Sequence, residues 1–297
     1  MRYQFVAQYQ GQFAVKSLCR VMAVTRSGYY AWQKRQKEEP GPRQQANEKL
    51  LPKIKAFFER SRQTYSSPRI LRDLRAEGLD CGKHRVAKLM RQAGLRVVVS
   101  RKFQVTTASR HSLPIAENLL GRNFEAPEAN QKWASDITSI WTREGWLYLA
   151  VVLDLFSRRI VGWSMQASLE RSLVLNALEA ALRQRNAGEA AERILHHSDR
   201  GCQYASADFQ QALTEQGIPC SMSRKGNCWD NAPVESFFGT LKQELVHRCN
   251  FGTREGARQE LFNYIEVWYN RKRRHSSLGY ISPAEFEEKA QATTIPA

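Results

Sequence analysis

Apolar positions along this chain follow two periods. From about residue 14 to residue 99 they recur every three or four positions, as on one helix face; from residue 129 they alternate or run together, as in strands. Val15, Leu18, Cys19 and Met22 make the first stripe. Val24-Thr25 interrupts it, and Thr25 or Ser27 offers a cap for a second short helix carrying Tyr29, Tyr30 and Trp32. The polar stretch 36–45, with Pro40, Gly41 and Pro42, predicts a linker. A helix follows over about 48–61. Ser67 and Pro68 start another, with Ile70, Leu71 and Leu74 inward and Gly78 as its stop. A third runs from about Lys83 to Ala93, with Val86, Leu89 and Met90 inward and Gly94 at its end. Arg69, Arg72, Arg75, Lys83, Arg85, Lys88 and Arg91 fall off these apolar faces. The pattern suits a helix-turn-helix in a DNA groove, and equally a small bundle with a solvated basic face.

After an aperiodic stretch the strands begin. Trp133–Trp141, Trp146–Asp154 and Ile160–Met165 are predicted strands, separated by turns at 143–145 and 157–159. The second is apolar on both faces and is expected to be central. A helix over 170–186, a strand Ile194–Ser198, a helix from Ser206 to Gly217, a strand Ile218–Met222, a polar loop 223–231 and a helix from about Pro233 to His247 complete the series. Three hairpin-linked strands followed by α/β alternation give a mixed sheet with helices on its faces, the element order of the RNase H-like fold. The expected organisation is a helical, helix-turn-helix-like segment over 1–45, a helix-turn-helix DNA-binding segment over 46–100 and a linker over 101–128. An RNase H-like core over 129–250 and a C-terminal helix with a basic tail over 251–297 follow. The fold class is α/β, with an all-α N-terminal region.

Charge sharpens this reading. The 297 residues carry 45 Lys+Arg against 29 Asp+Glu, a net of +16. Residues 1–128 hold 25 basic and 10 acidic side chains, so nearly all the excess lies in the helical part. A polyanion is the expected partner, and nucleic acid is the commonest one. No apolar run approaches the roughly 20 residues of a bilayer span, and no signal-peptide pattern opens the chain, so no membrane partner and a cytoplasmic location are expected. The six cysteines form no C-x-x-C pair and are expected as free thiols. His196, His197 and Cys202 lack zinc spacing.

Three acids stand out. Asp136 lies inside a predicted strand, where Asp is disfavoured; Asp199 ends another; Glu235 opens a helix. Three hard oxygen ligands from separate segments suit Mg²⁺ with open positions for a phosphate, and two such ions about 4 Å apart serve phosphoryl transfer. Each acid taken alone also reads as an ordinary turn or cap carboxylate. Lys242, seven residues past Glu235, shares its helix face and could reach a DNA phosphate. Asp154 either stands behind the acids or starts the turn at Ser157, and a histidine of the 196–197 pair could sit behind the metal site.

The phrases WASDIT (133–138), HSDRGCQY (197–204) and GNCWDNAPVESFFGTLK (226–242) resemble the DDE transposases of the bacterial insertion-sequence family three, and within it the OrfB catalytic protein, related to retroviral integrases. Residues 15–32 are similar to the usual OrfB opening, 65–95 to its helix-turn-helix, with Ser66-Ser67-Pro68 a departure, and 269–286 to its C-terminal part. The resemblance implies that Asp136, Asp199 and Glu235 are the catalytic, metal-binding triad and that Lys242 is the family's basic residue. It implies Mg²⁺ (or Mn²⁺) at two positions, cleavage at element ends, and strand transfer by the freed 3′-hydroxyl. Double-stranded DNA, a homo-oligomeric synaptic complex and an OrfA protein or fusion are the implied partners, in a bacterial, nucleoid-associated setting. Arg69, Arg72, Lys83, Arg85 and the cluster Arg271, Lys272, Arg273 and Arg274 are the expected DNA contacts. The alternative is a non-catalytic DNA-binding regulator of transposition; a further rival is a nuclease that uses water alone.

Overall fold

A computed structural model describes residues 1–37, 41–97, 113–186, 191 and 193–294. Residues 38–40 of the first expected linker and 101–112 of the second lie outside the described residues.

Three short helices, α1 (Arg2–Tyr9), α2 (Val15–Val21) and α3 (Arg26–Lys37), enclose a small core of Val6, Leu18, Cys19 and Tyr29. Periodicity misses α1 because Val6 is its one buried residue. Helix α4 (Pro42–Arg60) starts earlier than expected: Pro42 sits in its first turn, where a missing N–H costs nothing. It packs with α5 (Ser67–Ala76) and α6 (Lys83–Gln92) through Ile54, Phe57, Phe58, Ile70, Leu74, Val86 and Leu89.

The sheet has five strands: β1 (Lys132–Thr142), β2 (Gly145–Asp154), β3 (Ile160–Gln166), β4 (Leu195–Ser198) and β5 (Cys220–Met222), in the order β3-β2-β1-β4-β5. β2 pairs antiparallel with β1 and β3, while β4 pairs parallel with β1 and β5. Side-chain alternation divides the two faces. Ala134, Ile140, Leu147, Leu149, Val151 and Leu153 join the core that contains α9 (Ala232–Glu244), α10 (Arg254–Phe262) and the α4–α6 helices. Trp133, Ala150, Val152 and Val161 face α7 (Arg171–Arg185) and α8 (Ala207–Glu215). Gly162 lets α7 lie flat on β3: a Cβ there would overlap the carbonyl oxygen of Ala177 and come within 2.6 Å of Ala181. Asp154 makes the turn, accepting from the Phe156 N–H at 2.9 Å, and it is fully buried beside Arg185.

Through residue 294 the C-terminal part is folded. After α10 a π-helical turn (Asn263–Tyr269) packs on the core through Tyr264, Ile265, Trp268 and Tyr269, and α11 (Pro283–Thr294) follows. Glu287 of α11 pairs with Arg159 at 2.7 Å and with Arg185, and accepts from Ser157 Oγ at 2.7 Å. The Asn270 side chain accepts from the Ile160 N–H and donates to the Ile160 carbonyl, both at 3.0 Å, along the outer edge of β3. At the other edge, Ser221 Oγ accepts from the Leu120 N–H at 3.1 Å, and the Met222 N–H reaches the Glu117 carbonyl at 3.3 Å.

Candidate active site

Strand register brings the first two acids together. On the parallel β1–β4 pair, Trp133 faces His196, Ala134 faces His197 and Ser135 faces Ser198. Asp136 and Asp199 each follow that last pair by one residue, just where β4 ends. Adjacent strands lie roughly 4.8 Å apart, so the two carboxylates leave the sheet as neighbours. Both share the face of Ala134, the face that α9 covers. Asp136 Oδ1 accepts from the Ile137 N–H at 2.7 Å. Asp199 Oδ1 accepts from the Gly201 N–H at 2.8 Å, and a Cβ at position 201 would lie 3.0 Å from that oxygen.

Glu235 arrives from the loop between β5 and α9. That loop is fastened by buried Asp230, which accepts from Arg224 Nε (2.9 Å) and Nη2 (2.8 Å), Arg122 Nε (2.8 Å) and Asn118 Nδ2 (3.0 Å). The guanidinium of Arg224 holds the Asp230 carboxyl far below the usual range. One residue on, buried Asn231 donates to the Ser135 carbonyl at 3.0 Å, tying the start of α9 to the residue before Asp136. Glu235 then falls in the first turn of α9, with Lys242 on the last.

The electrostatics fit one shared site. The Asp136 carboxyl is pushed well up by burial, and then by the charges of Asp199 and Glu235, while Lys242 opposes the shift. Burial also raises Glu235 and lowers Lys242. Tyr204, whose buried hydroxyl has no partner, is raised by burial and by Asp136 and Asp199. His196 and His197 are pushed down to about 3 and about 4, chiefly by burial, so both are neutral at pH 7. They bond serines: His196 Nε2 to Ser135 Oγ, and His197 Nδ1 to Ser221 Oγ, each at 2.8 Å.

Among the described residues no three His, Cys, Asp or Glu side chains stand close enough to form a ready-made ion cage. The donor chemistry nevertheless fits a hard divalent cation: three carboxylates, with Asp136 in electrostatic reach of both Asp199 and Glu235 and its charge opposed by burial and by theirs.

The expected DNA contacts divide. Lys83 and Arg72 are exposed, the latter over the Tyr280 ring at 5.0 Å, and Arg271 and Lys272 are exposed. Arg69 is half-buried and donates to the Arg274 carbonyl at 3.0 Å, and Arg85 donates to Asn47 Oδ1 at 2.7 Å. Two assignments are corrected. Arg273 is buried in an ion pair with Glu244 at 2.8 Å, and Arg274 pairs with Asp73 at 2.7 Å and with the Tyr280 carbonyl at 2.8 Å. Both hold helices together and are not free for a phosphate. Sequence reasoning also passed over Asp230, Asn231 and Trp229; the last exposes 69% of its surface six residues before Glu235. The polar loop composition that marks 223–231 as irregular hides which of its side chains turn inward.

Known proteins bear on this arrangement. Family models for the integrase core domain match residues 126–228 and 235–290, and a model for an HTH-like domain matches residues 45–103. The transposase InsF for insertion sequence IS3A of Escherichia coli is 46% identical over 289 residues, covering 97% of this chain and 99% of that protein. A 31 kDa protein of insertion element IS600 from Shigella sonnei is 44% identical, covering 92% of this chain and 98% of that one. A chain of the simian T-cell lymphotropic virus intasome matches over 64% of each chain at 19% identity, with a TM-score of 0.46. With its mixed sheet, its HTH-like helices and 46% identity to InsF over nearly the whole length, this chain belongs to the IS3 family of insertion-sequence transposases, proteins built on an integrase core.

Proposed function

We propose that this transposase cuts DNA at the ends of its element and joins the freed 3′-hydroxyl to a target by phosphoryl transfer, with Asp136, Asp199 and Glu235 as the reacting centre. The observation that carries this reading is the register that ends at Ser135–Ser198, one residue before Asp136 and Asp199, beside a helix start tied to Ser135. In each step an oxygen nucleophile, water for cleavage and the 3′-hydroxyl for joining, attacks phosphorus while the opposite P–O bond breaks. Mg²⁺ or Mn²⁺ bound at the three carboxylates, two ions by resemblance, supplies charge neutralisation at the phosphoryl group and at the leaving oxygen. Asp136, whose burial disfavours its charge, gains from a cation there. Lys242, in electrostatic contact with Asp136, holds a non-bridging phosphate oxygen. The exposed cations of α5 and α6, among them Arg72, Lys83, Lys88 and Arg91, hold the DNA backbone. A complex of two ends needs at least two chains, and an OrfA protein or fusion supplies end recognition.

The test is strand transfer from a pre-cut element-end duplex into supercoiled plasmid, with Mg²⁺ or Mn²⁺, alone and with OrfA. Joined product that disappears in Glu235→Gln and Asp199→Asn supports the reading. Product that survives in both variants refutes the assigned centre. DNA binding with no joining under any condition, the fused form included, leaves the non-catalytic regulator.

A further inference from the structure

The groove between the HTH-like helices and the C-terminal segment points to a further site. It encloses about 560 Å³. Arg60 and Arg62, at the end of α4 and just beyond it, line one part; Arg271 and Lys272 line another. Phe57 and Trp268 are among its walls and are buried there. Arg60 lies over the Phe57 ring at 4.6 Å and reaches Asp73 at 3.8 Å, while 62% of its side chain stays exposed. The two acids on the same lining are engaged: Asp73 by Arg274 at 2.7 Å, Glu285 by Lys289 at 2.9 Å. The open charge of the groove is therefore positive.

Two backbone irregularities border it as well. Arg62 and Gln63 are consecutive non-glycine residues at positive φ (55° and 59°), steadied by Arg248, which donates to the Arg62 carbonyl at 2.6 Å. Asn263, Val267 and Trp268 belong to the π-helical turn, a rare geometry that is over-represented at functional sites. Backbone that departs from its low-energy forms is kept where something gains from it.

We propose that this groove is a second DNA-backbone site: Arg60, Arg62, Arg271 and Lys272 seat phosphates of a double-stranded segment that runs past the HTH-like helices, apart from the carboxylate centre. The inference rests on the transposase reading. Four cations around an apolar floor match a phosphodiester backbone, in which charged phosphates alternate with sugars. Because Arg274–Asp73 and Arg69 bolt the two walls together, the DNA held here has a fixed direction relative to the core.

The experiment is duplex binding by the full chain between 0.05 and 0.3 M salt, for the wild type, R60Q/R62Q, R271Q/K272Q and a charge-matched control, R143Q/R193Q. Each lost phosphate contact removes about 0.9 from the slope of log K against log salt. Each groove pair is expected to flatten the slope by about 1.8 and to weaken binding about thirtyfold at 0.15 M salt, while the control keeps the wild-type slope. Melting temperatures equal to the wild type show that the fold is intact. Groove variants with the wild-type slope, or a control that falls equally, overturn the inference while leaving the transposase reading standing. An unchanged slope with stabilisation by inorganic phosphate that the groove variants abolish assigns a small-anion site instead. A wild type without salt-dependent binding overturns the transposase reading itself.

Discussion

Arg273→Ala is expected to unfold this protein more readily without altering how it grips DNA. Arg273 donates from Nε to both oxygens of Glu244 at 3.0 Å and from Nη2 to Oε1 at 2.8 Å. Tyr264 and Trp268 donate to the same carboxylate at 3.0 and 3.3 Å. Arg273 and Glu244 are 5% and 6% exposed, so water does not screen the pair. The attraction of Glu244 outweighs the burial penalty on the Arg273 guanidinium and keeps it firmly protonated. Deleting the guanidinium leaves a buried carboxylate with two neutral donors. Breaking such a pair from one side costs about 3–5 kcal/mol. For a chain of this size that is a fall in melting temperature of roughly 6–20 °C. Urea unfolding followed by far-UV circular dichroism and tryptophan fluorescence measures it. Arg271→Ala, at an exposed position, is the control and should change stability by less than about 0.5 kcal/mol. The double variant E244Q/R273M should lose less than the two single variants together, because each single change strands the other group. The reasoning is refuted if Arg273→Ala stays within about 1 kcal/mol of the wild type. A salt slope that drops by about 0.9 with stability unchanged would return Arg273 to the DNA surface.

Gly162→Ala pushes a methyl into the Ala177 carbonyl and Ala181, so overpacking should cost about 1–3 kcal/mol or more, visible as a lower urea midpoint. Stability should also fall with acid in a defined direction. Burial, then His197, pushes His196 down to about 3; burial, then Arg273, Arg69 and Arg158, pushes His275 down to about 2. The folded state thus binds fewer protons than the unfolded chain below pH 6.5, so their contribution is full above that pH and is lost as pH falls through 6.5 towards those values. Each should cost on the order of 1 kcal/mol per pH unit between about pH 6 and 4, and His275→Gln should flatten the slope of urea stability against pH. An unchanged slope in that variant contradicts the assignment.

Much of the fold is legible in the sequence because its signals are local. Trp146 to Asp154 reads as apolar on both faces and becomes β2, an interior strand, although the centre of the five is β1 and not β2 as expected, because β4 and β5 add on the far side of β1; the 143–145 turn closes the β1–β2 hairpin where expected. The candidate acids are legible for a related reason: an Asp in the middle of WASDIT conflicts with strand propensity and so demands an explanation. What escapes is long-range. The run RKRR at 271–274 reads as a uniform basic cluster, but a turn of π-helix and the chain reversal after it send Arg273 inward to Glu244 and Arg274 across to Asp73, some two hundred residues earlier. No local pattern encodes a partner that distant. Helix α1 escapes for the opposite reason, since a helix with one buried side chain leaves too little periodicity to detect.

The amide of Asn270 occupies the place where another strand would begin. It satisfies both hydrogen-bonding groups of Ile160 on the outer margin of β3, and on the β5 margin the Glu117 carbonyl accepts from the Met222 N–H while the Leu120 N–H donates to Ser221 Oγ. Open sheet margins recruit other chains indiscriminately. At Ile160 and at Met222 the chain's own residues hold the positions a further strand would use, so a second copy meets an obstacle to backbone pairing at one end of each margin.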